Sequence, residues 1–297
     1  DSTRSVGFIQ RNQDRPFFLQ INYMNNHRGF TGEFAFHPDF MVDPDTVHVP
    51  EYWALPDWPE IRLEVAKFTS QTLQMDRMIG EVLDALDECG LVDDTWVIFI
   101  SDNGAPFPGV KMTCYDRGVG VPFFMRWPKA IRPGTKSQSE ISSIDLMPTV
   151  LDVLDLSPGL HLDGVSLKGL LERGGDKGVH DALFFEMTHH EDYLPTRAVR
   201  AQGYKYIRNY SSDPVGLDQC GHMEWAQRLV EDPAQPWTRP RVFEELYSLD
   251  SDPNEKSNLA ADPAFQKTLS NLRAILDQHM EITKDPYLGA DFDLPPP

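Results

Sequence analysis

Apolar side chains return every three or four residues from Ile61 through Val65, Phe68, Met75, Ile79 and Val82 to Leu86, with Thr72 in the same register. That spacing predicts one face of an α-helix about seven turns long. Asp57 is placed to cap it, Pro59 suits its first turn and Gly90 ends it. An apolar run flanks the helix on each side, residues 16–21 (PFFLQI) and 96–101 (WVIFIS). Strand, long helix, strand is the order of a crossover between parallel strands, so the pattern points to an α/β sheet covered by helices. A chain of 297 residues has room for one large α/β domain and a smaller one.

Residues 4–13 read as the end of a helix entering the first strand. Residues 22–56, rich in Pro, Asp, His and aromatics, are too long for a plain connection and are where a scaffold carries its site. Ser142 or Ser143 caps a further helix through Met147, Val150, Leu151 and Leu154, with Pro158-Gly159 as its stop. Gly174-Gly175 and the charged stretch to Gly178 divide the chain into residues 1–178 and 179–297. Beyond that point residues 182–187, 197–208 and 243–249 read as strands of an antiparallel sheet joined by long loops. A last helix, 263–282, puts Phe265, Leu269, Leu272, Leu276 and Met280 on one face, and 285–297 reads as a surface tail.

The sharpest chemical signal is Asp102-Asn103-Gly104. Asx-Gly pairs are common turns. Here, however, a carboxylate and an amide oxygen stand side by side after a strand, at the end where open α/β sheets bind ligands. Hard oxygens suit Ca²⁺ or Mg²⁺. Lys111 follows across a loop restricted by Pro106 and Pro108, and an ammonium suits an anionic group. His27 lies just past the first strand, where an imidazole can bond an oxyanion or protonate a leaving group. Asp116-Arg117-Gly118 reads as a turn that structures the loop. His189, His190 and Glu191 lack helical i, i+4 histidine spacing and a cysteine partner, so they read as a substrate-contacting loop rather than a metal site. Glu245-Leu246-Tyr247 and Asp252-Pro253-Asn254-Glu255 read as structural.

Charge narrows the partners. With 27 basic and 46 acidic residues the net charge is −19, which repels nucleic acid and anionic membrane surfaces at long range. An anionic substrate must be held by local cations and a metal. No run of 18 apolar residues is present to span a membrane. Cys89, Cys114 and Cys220 are too few for a disulfide framework. Asn209-Tyr210-Ser211 matches a glycosylation triplet of a kind that also arises by chance.

Taken in order, these pieces resemble the sulfatase family. Residues 16–21 followed by His27 look like its PFFL…H segment. The long helix, Asp102-Asn103-Gly104, Lys111 and Gly118-Val119-Gly120-Val121-Pro122 look like its metal and sulfate site. Residues 200–207, 245–249 and Asp252-Pro253-Asn254-Glu255 are similar to its C-terminal subdomain. Pro106-Phe107-Pro108-Gly109, and His189-His190-Glu191 before Pro195-Thr196-Arg197, resemble the heparan N-sulfatase (sulfamidase) group. The resemblance implies an alkaline-phosphatase-like, mostly parallel sheet flanked by helices, with a smaller antiparallel subdomain. It implies Ca²⁺, or Mg²⁺, on Asp102 and Asn103. His27 and Lys111 would hold the sulfate, with His27 assisting the leaving group. His190 and Glu191 would contact the sugar. The implied substrate is a sulfated mono- or oligosaccharide, and the implied compartment is periplasmic, extracellular or lysosome-like.

One departure stands out. The family's nucleophile is a cysteine in Cys-x-Pro/Ala-x-Arg, oxidised to formylglycine, and none of the three cysteines is so placed. The family's paired aspartates, and the lysine and histidine after its nucleophile, are also missing. The expectation is a C-terminal portion of a longer enzyme, inactive alone. Two other readings stand beside the sulfatase. A phosphatase or phosphonate hydrolase of the same superfamily would need second-metal ligands, for which only His161 and Asp163 are on offer. A non-catalytic pseudoenzyme would keep only the sugar site.

Overall fold

The computed structural model describes residues 2–35, 37–157, 159–175, 178–233, 235 and 239–293. Pro158 of the expected helix stop, residues 176–177 of the expected boundary and residues 294–297 of the expected tail lie outside the described residues. Helix α1 (Ser2–Asn12) lays Ile9 on Ala85 and Leu86 of helix α2 (Pro59–Glu88). Helix α2 follows its predicted period, with Ile61, Val65 and Leu86 buried. Its N-cap is Trp58 rather than Asp57, whose carboxylate instead takes two hydrogen bonds from Arg62, at 2.6 and 2.5 Å. At the other end Gly90 adopts φ +67° and the Leu91 N–H returns to the Leu86 carbonyl at 2.8 Å, a left-handed ending that glycine permits. No helix among the described residues is long and apolar enough to cross a membrane.

Strand β1 (Val97–Ile100) pairs with strand β2 (Phe123–Arg126) in antiparallel register, Phe99 opposite Phe124. The parallel pairing expected of residues 16–21 and 96–101 is therefore corrected: every ladder among the described residues is antiparallel. Residues 16–21 take no regular secondary structure and join no ladder among the described residues. Phe17 and Leu19 pack against the cluster of Ile9 from α1 with Ala85 and Leu86 from α2, while Phe18 is 79% exposed. β-forming side chains report a pleated, half-buried surface and not a bonded partner. Between β1 and β2 the chain doubles back, and short helix α3 (Asp116–Val119) returns it to the sheet.

A 3₁₀ turn over Ser143–Asp145, closed by a reciprocal capping box between Ser142 and Asp145, leads into helix α4 (Leu146–Val153). It ends at Leu154, with Asp155 at φ +55°, ahead of the expected Pro158-Gly159 stop. Helix α5 (Lys168–Arg173) follows. Strands β3 (Leu183–His189), β4 (Tyr193–Ala201), β5 (Tyr204–Asn209) and β6 (Glu244–Ser248) form one antiparallel sheet in chain order. The single strand expected over 197–208 is instead a hairpin. Gln202 and Gly203 take φ +57° and +79°, the two-residue turn that matches strand twist. Asn209 is 2% exposed and donates to Val242 and Glu245, so its glycosylation triplet is closed inside the sheet. Helix α6 (Glu224–Glu231) adds Trp225, Ala226 and Leu229 to an aromatic core of Phe34, Trp53 and Phe107. Helix α7 (Gln266–Thr283) buries Leu269, Leu272, Leu276 and Met280 against Val199, Tyr206 and Leu246.

Candidate functional site

His27 sits in a turn after residues 16–21, its N–H bonded to the Met24 carbonyl at 3.1 Å. Lys111 sits in the loop that leaves β1 and is 6% exposed. Although 84 residues apart, they meet, with Lys111 Nζ 3.3 Å from His27 Nε2. The other ring nitrogen, Nδ1, lies 2.6 Å from the Arg28 carbonyl oxygen. A carbonyl can only accept, so Nδ1 carries a proton. In the neutral ring Nε2 then offers a lone pair, which takes a hydrogen bond from the Lys111 ammonium.

The loop that holds Lys111 is closed on itself. Gly104 N–H donates to the Gly118 carbonyl at 2.8 Å, and a Cβ on Gly104 would stand 2.2 Å from the Arg117 carbonyl oxygen. Only glycine allows that approach. Arg117 Nε donates to the Gly109 carbonyl at 2.6 Å and its guanidinium stacks 4.1 Å over Tyr115. Phe107 packs against Trp53 with ring centroids 4.4 Å apart.

The far end of the loop is pinned to the C-terminal sheet. Lys205 of β5, fully buried, donates to the Cys114 carbonyl at 2.9 Å and pairs with Asp116 at 2.7 Å. Arg200 of β4 pairs with the same carboxylate. Glu255 accepts the Asp116 N–H at 2.6 Å, and burial pushes its carboxyl up to about 7. Glu245 accepts from the Tyr115 and Tyr247 hydroxyls at 2.7 and 2.5 Å. The structural reading of Glu245 and Glu255 thus gains specific contacts.

Asp102 and Asn103 stand at the start of this loop. Asp102 is exposed, and its Oδ1 accepts the Asn103 N–H at 2.9 Å. Asn103 Nδ2 donates to the Gly104 carbonyl at 2.8 Å, which turns its side-chain oxygen away from that bond. Two adjacent hard oxygens fit part of a Ca²⁺ or Mg²⁺ shell of six to eight ligands. Among the described residues no three His, Cys, Asp or Glu side chains are grouped to hold a metal ion, and neither Asp102 nor Asn103 bonds to His27 or Lys111. His161 and Asp163, 3.6 Å apart, are 89% and 91% exposed and form a solvated surface pair.

His189, His190 and Glu191 are exposed at the turn between β3 and β4. That turn reaches toward the Lys111 loop. A Cβ on Gly216 would lie 2.0 Å from the Asp192 carboxylate and 3.4 Å from Met112, the residue after Lys111.

The sulfatase family model matches residues 2–156, more than half of the chain. The chain belongs to the sulfatase family. A second model, "N-sulphoglucosamine sulphohydrolase, C-terminal", matches residues 110–217 of this sulfatase-family chain. Human N-sulphoglucosamine sulphohydrolase is 30% identical over 95% of the chain, which spans 64% of that protein. A putative sulfatase from Bacteroides fragilis superposes with a TM-score of 0.72 at 18% identity, covering 97% of this chain and 59% of its own. A structure solved with its substrate D-glucosamine-2-N,6-O-disulfate gives a TM-score of 0.61 at 23% identity over 78% of this chain and 44% of its own. The fold is accordingly the alkaline-phosphatase-like α/β fold of sulfatases.

Arg28 and Glu64 escaped the sequence reading as partners, although a signal was there. Glu64 falls on the buried stripe of α2, three residues after Ile61. A carboxylate on that face demands a buried cation.

Proposed function

We propose that these residues carry the sulfate- and sugar-facing side of a hydrolase that cleaves the S–O or S–N bond of a sulfated saccharide. The observation that carries it is the meeting of His27 and Lys111 beside a closed loop that begins with Asp102 and Asn103. The name and C-terminal model of N-sulphoglucosamine sulphohydrolase favour an N- or O-sulfated amino sugar.

Lys111 donates to a sulfate oxygen, and the burial of the residue strengthens that contact. His27, with Nδ1 held by a carbonyl, presents Nε2 to the same anion. Protonated there, it donates to sulfate or passes the proton to the departing oxygen or nitrogen. A divalent cation on Asp102 and Asn103 would offset charge on the sulfate oxygens. His190 and Glu191 contact the sugar from the β3–β4 turn.

The family's formylglycine nucleophile has no counterpart among these cysteines. Cys114 is buried, with its thiol pushed up to about 12 by burial. Cys220 is buried and bonded to the Leu217 carbonyl at 2.7 Å. Cys89 caps α2. The 297-residue chain is therefore expected to bind without turnover.

Isothermal titration with inorganic sulfate and with N-sulfoglucosamine tests this reading. Saturable binding is expected, weakened at least about tenfold by Lys111→Ala, since a charge-assisted bond contributes about 1.5–3 kcal/mol. Sulfate release by the chain itself would contradict the missing nucleophile. Tighter binding of a phosphate monoester than of the sulfate would favour the phosphatase reading.

A further inference from the structure

Arg28 links the two arms of the His27–Lys111 pair: its backbone carbonyl meets His27 Nδ1, and its side chain reaches the loop that leads to Lys111. Its guanidinium is almost wholly buried. Nε donates to the Pro106 carbonyl at 2.8 Å, in the loop that leads to Lys111. Nη1 donates to the Gly32 carbonyl at 2.8 Å and pairs with Glu64 of α2 at 2.5 Å. The group lies 4.1 Å over the Phe34 ring and 4.9 Å from that of Phe107. Glu64, itself 3% exposed, also takes Lys67 at 2.8 Å, and Lys67 reaches Glu33 at 3.1 Å. Nη2 is buried with no partner, a further cost.

Such a pair is a poor way to gain stability. Desolvating both charges offsets most of their attraction, and an apolar pair of similar volume often does as well. Its placement explains it better. The Arg28 carbonyl is the atom that fixes the His27 tautomer, and the Arg28 side chain ties that peptide to α2 and to the loop of Lys111.

We propose that Arg28, held by Glu64, is a positioning residue for the His27–Lys111 pair. It sets the carbonyl that keeps the proton on His27 Nδ1, and it holds the loop that brings Lys111 to Nε2. This rests on reading that pair as the sulfate-holding element. Freed, the Arg28 peptide can turn, Nδ1 loses its acceptor, and the Nε2 lone pair leaves Lys111.

The test is long-range proton–nitrogen NMR of the imidazoles in the full chain, with His27→Gln to assign the signal. In the unchanged protein His27 is expected as a single tautomer protonated on Nδ1. The double variant R28M/E64M removes both charges and keeps apolar bulk, while Lys67 retains Glu33. It is expected to keep its circular dichroism, to show His27 shifts averaged between tautomers, and to bind inorganic sulfate at least about tenfold more weakly. Misplacing an oriented group by an ångström costs up to about a hundredfold. A folded double variant that keeps the single-tautomer signature overturns the proposal. Where the double variant loses its fold, Arg28→Met alone, which leaves Glu64 its Lys67 partner, is read the same way: mixed tautomers support the proposal, an unchanged signature overturns it. If the unchanged protein shows the single tautomer yet binds no sulfate, the sulfate reading fails and the positioning role stands.

Discussion

The two ends of this molecule hold their residues by different means. In the C-terminal sheet β3–β6, regular ladders carry Val199, Tyr206 and Leu246, and α7 covers them with Leu269, Leu272, Leu276 and Met280. In the N-terminal part a two-stranded ladder leaves Phe124 65% exposed, and the candidate site residues His27, Asp102, Asn103 and Lys111 stand on loops. Those loops are tied by buried ionic and polar contacts: Arg28 to Glu64 and Pro106, Lys205 and Glu255 to Asp116. Apolar packing is insensitive to direction and suits a scaffold. Hydrogen-bonded charges are directional and suit the placing of a few reactive atoms.

The contrast predicts where damage spreads. Leu272→Ala opens a cavity in a fully buried position and is expected to cost about 2–5 kcal/mol in denaturant unfolding. A loss below about 1 kcal/mol would mean that the sheet and α7 are not the main source of stability.

Glu255 stands at the junction of the two regions. Its carboxyl is raised from 4.5 to about 7, so between those values the native state binds the proton that the unfolded chain has released. The stability contributed by this group is present at the acid end of that window and is lost as pH rises to about 7. Glu255→Gln is expected to be neutral near the acid end and to gain up to about 3 kcal/mol above the window, relative to the unchanged chain. Unfolding curves at the two pH extremes that differ by the same amount would remove the buried carboxyl from the account.

Gly104→Ala sharpens the comparison at the smallest scale. The added Cβ meets backbone, so the loop must shift, at about 1–2 kcal/mol. Hydrogen exchange is expected to quicken from 104 to 118 and stay unchanged in β4 and β5. Equal loosening of both would show that the loop and the sheet open together.

Much of this was legible beforehand. The α2 stripe, the β1 segment, the capping role of Ser142 and the buried face of α7 are all local periodicities or local bonds. His27 and Lys111 were legible as separate candidates because each follows an apolar run. Gln202-Gly203 was missed as a turn because the signal lies in backbone φ, and glutamine does not advertise it. Asp57 looked like a cap until Arg62 claimed its oxygens.

By itself the sequence determined the long helices α2 and α7, the β1 segment and the polar groups that follow it, because each is written in spacings of two to seven residues. Only the tertiary structure decided that β1 and β2 run antiparallel, that Lys111 finds His27 across 84 residues, and that Arg28 takes Glu64 as its buried partner. Those outcomes depend on which surfaces meet after the chain has closed long loops, and no local period encodes that choice.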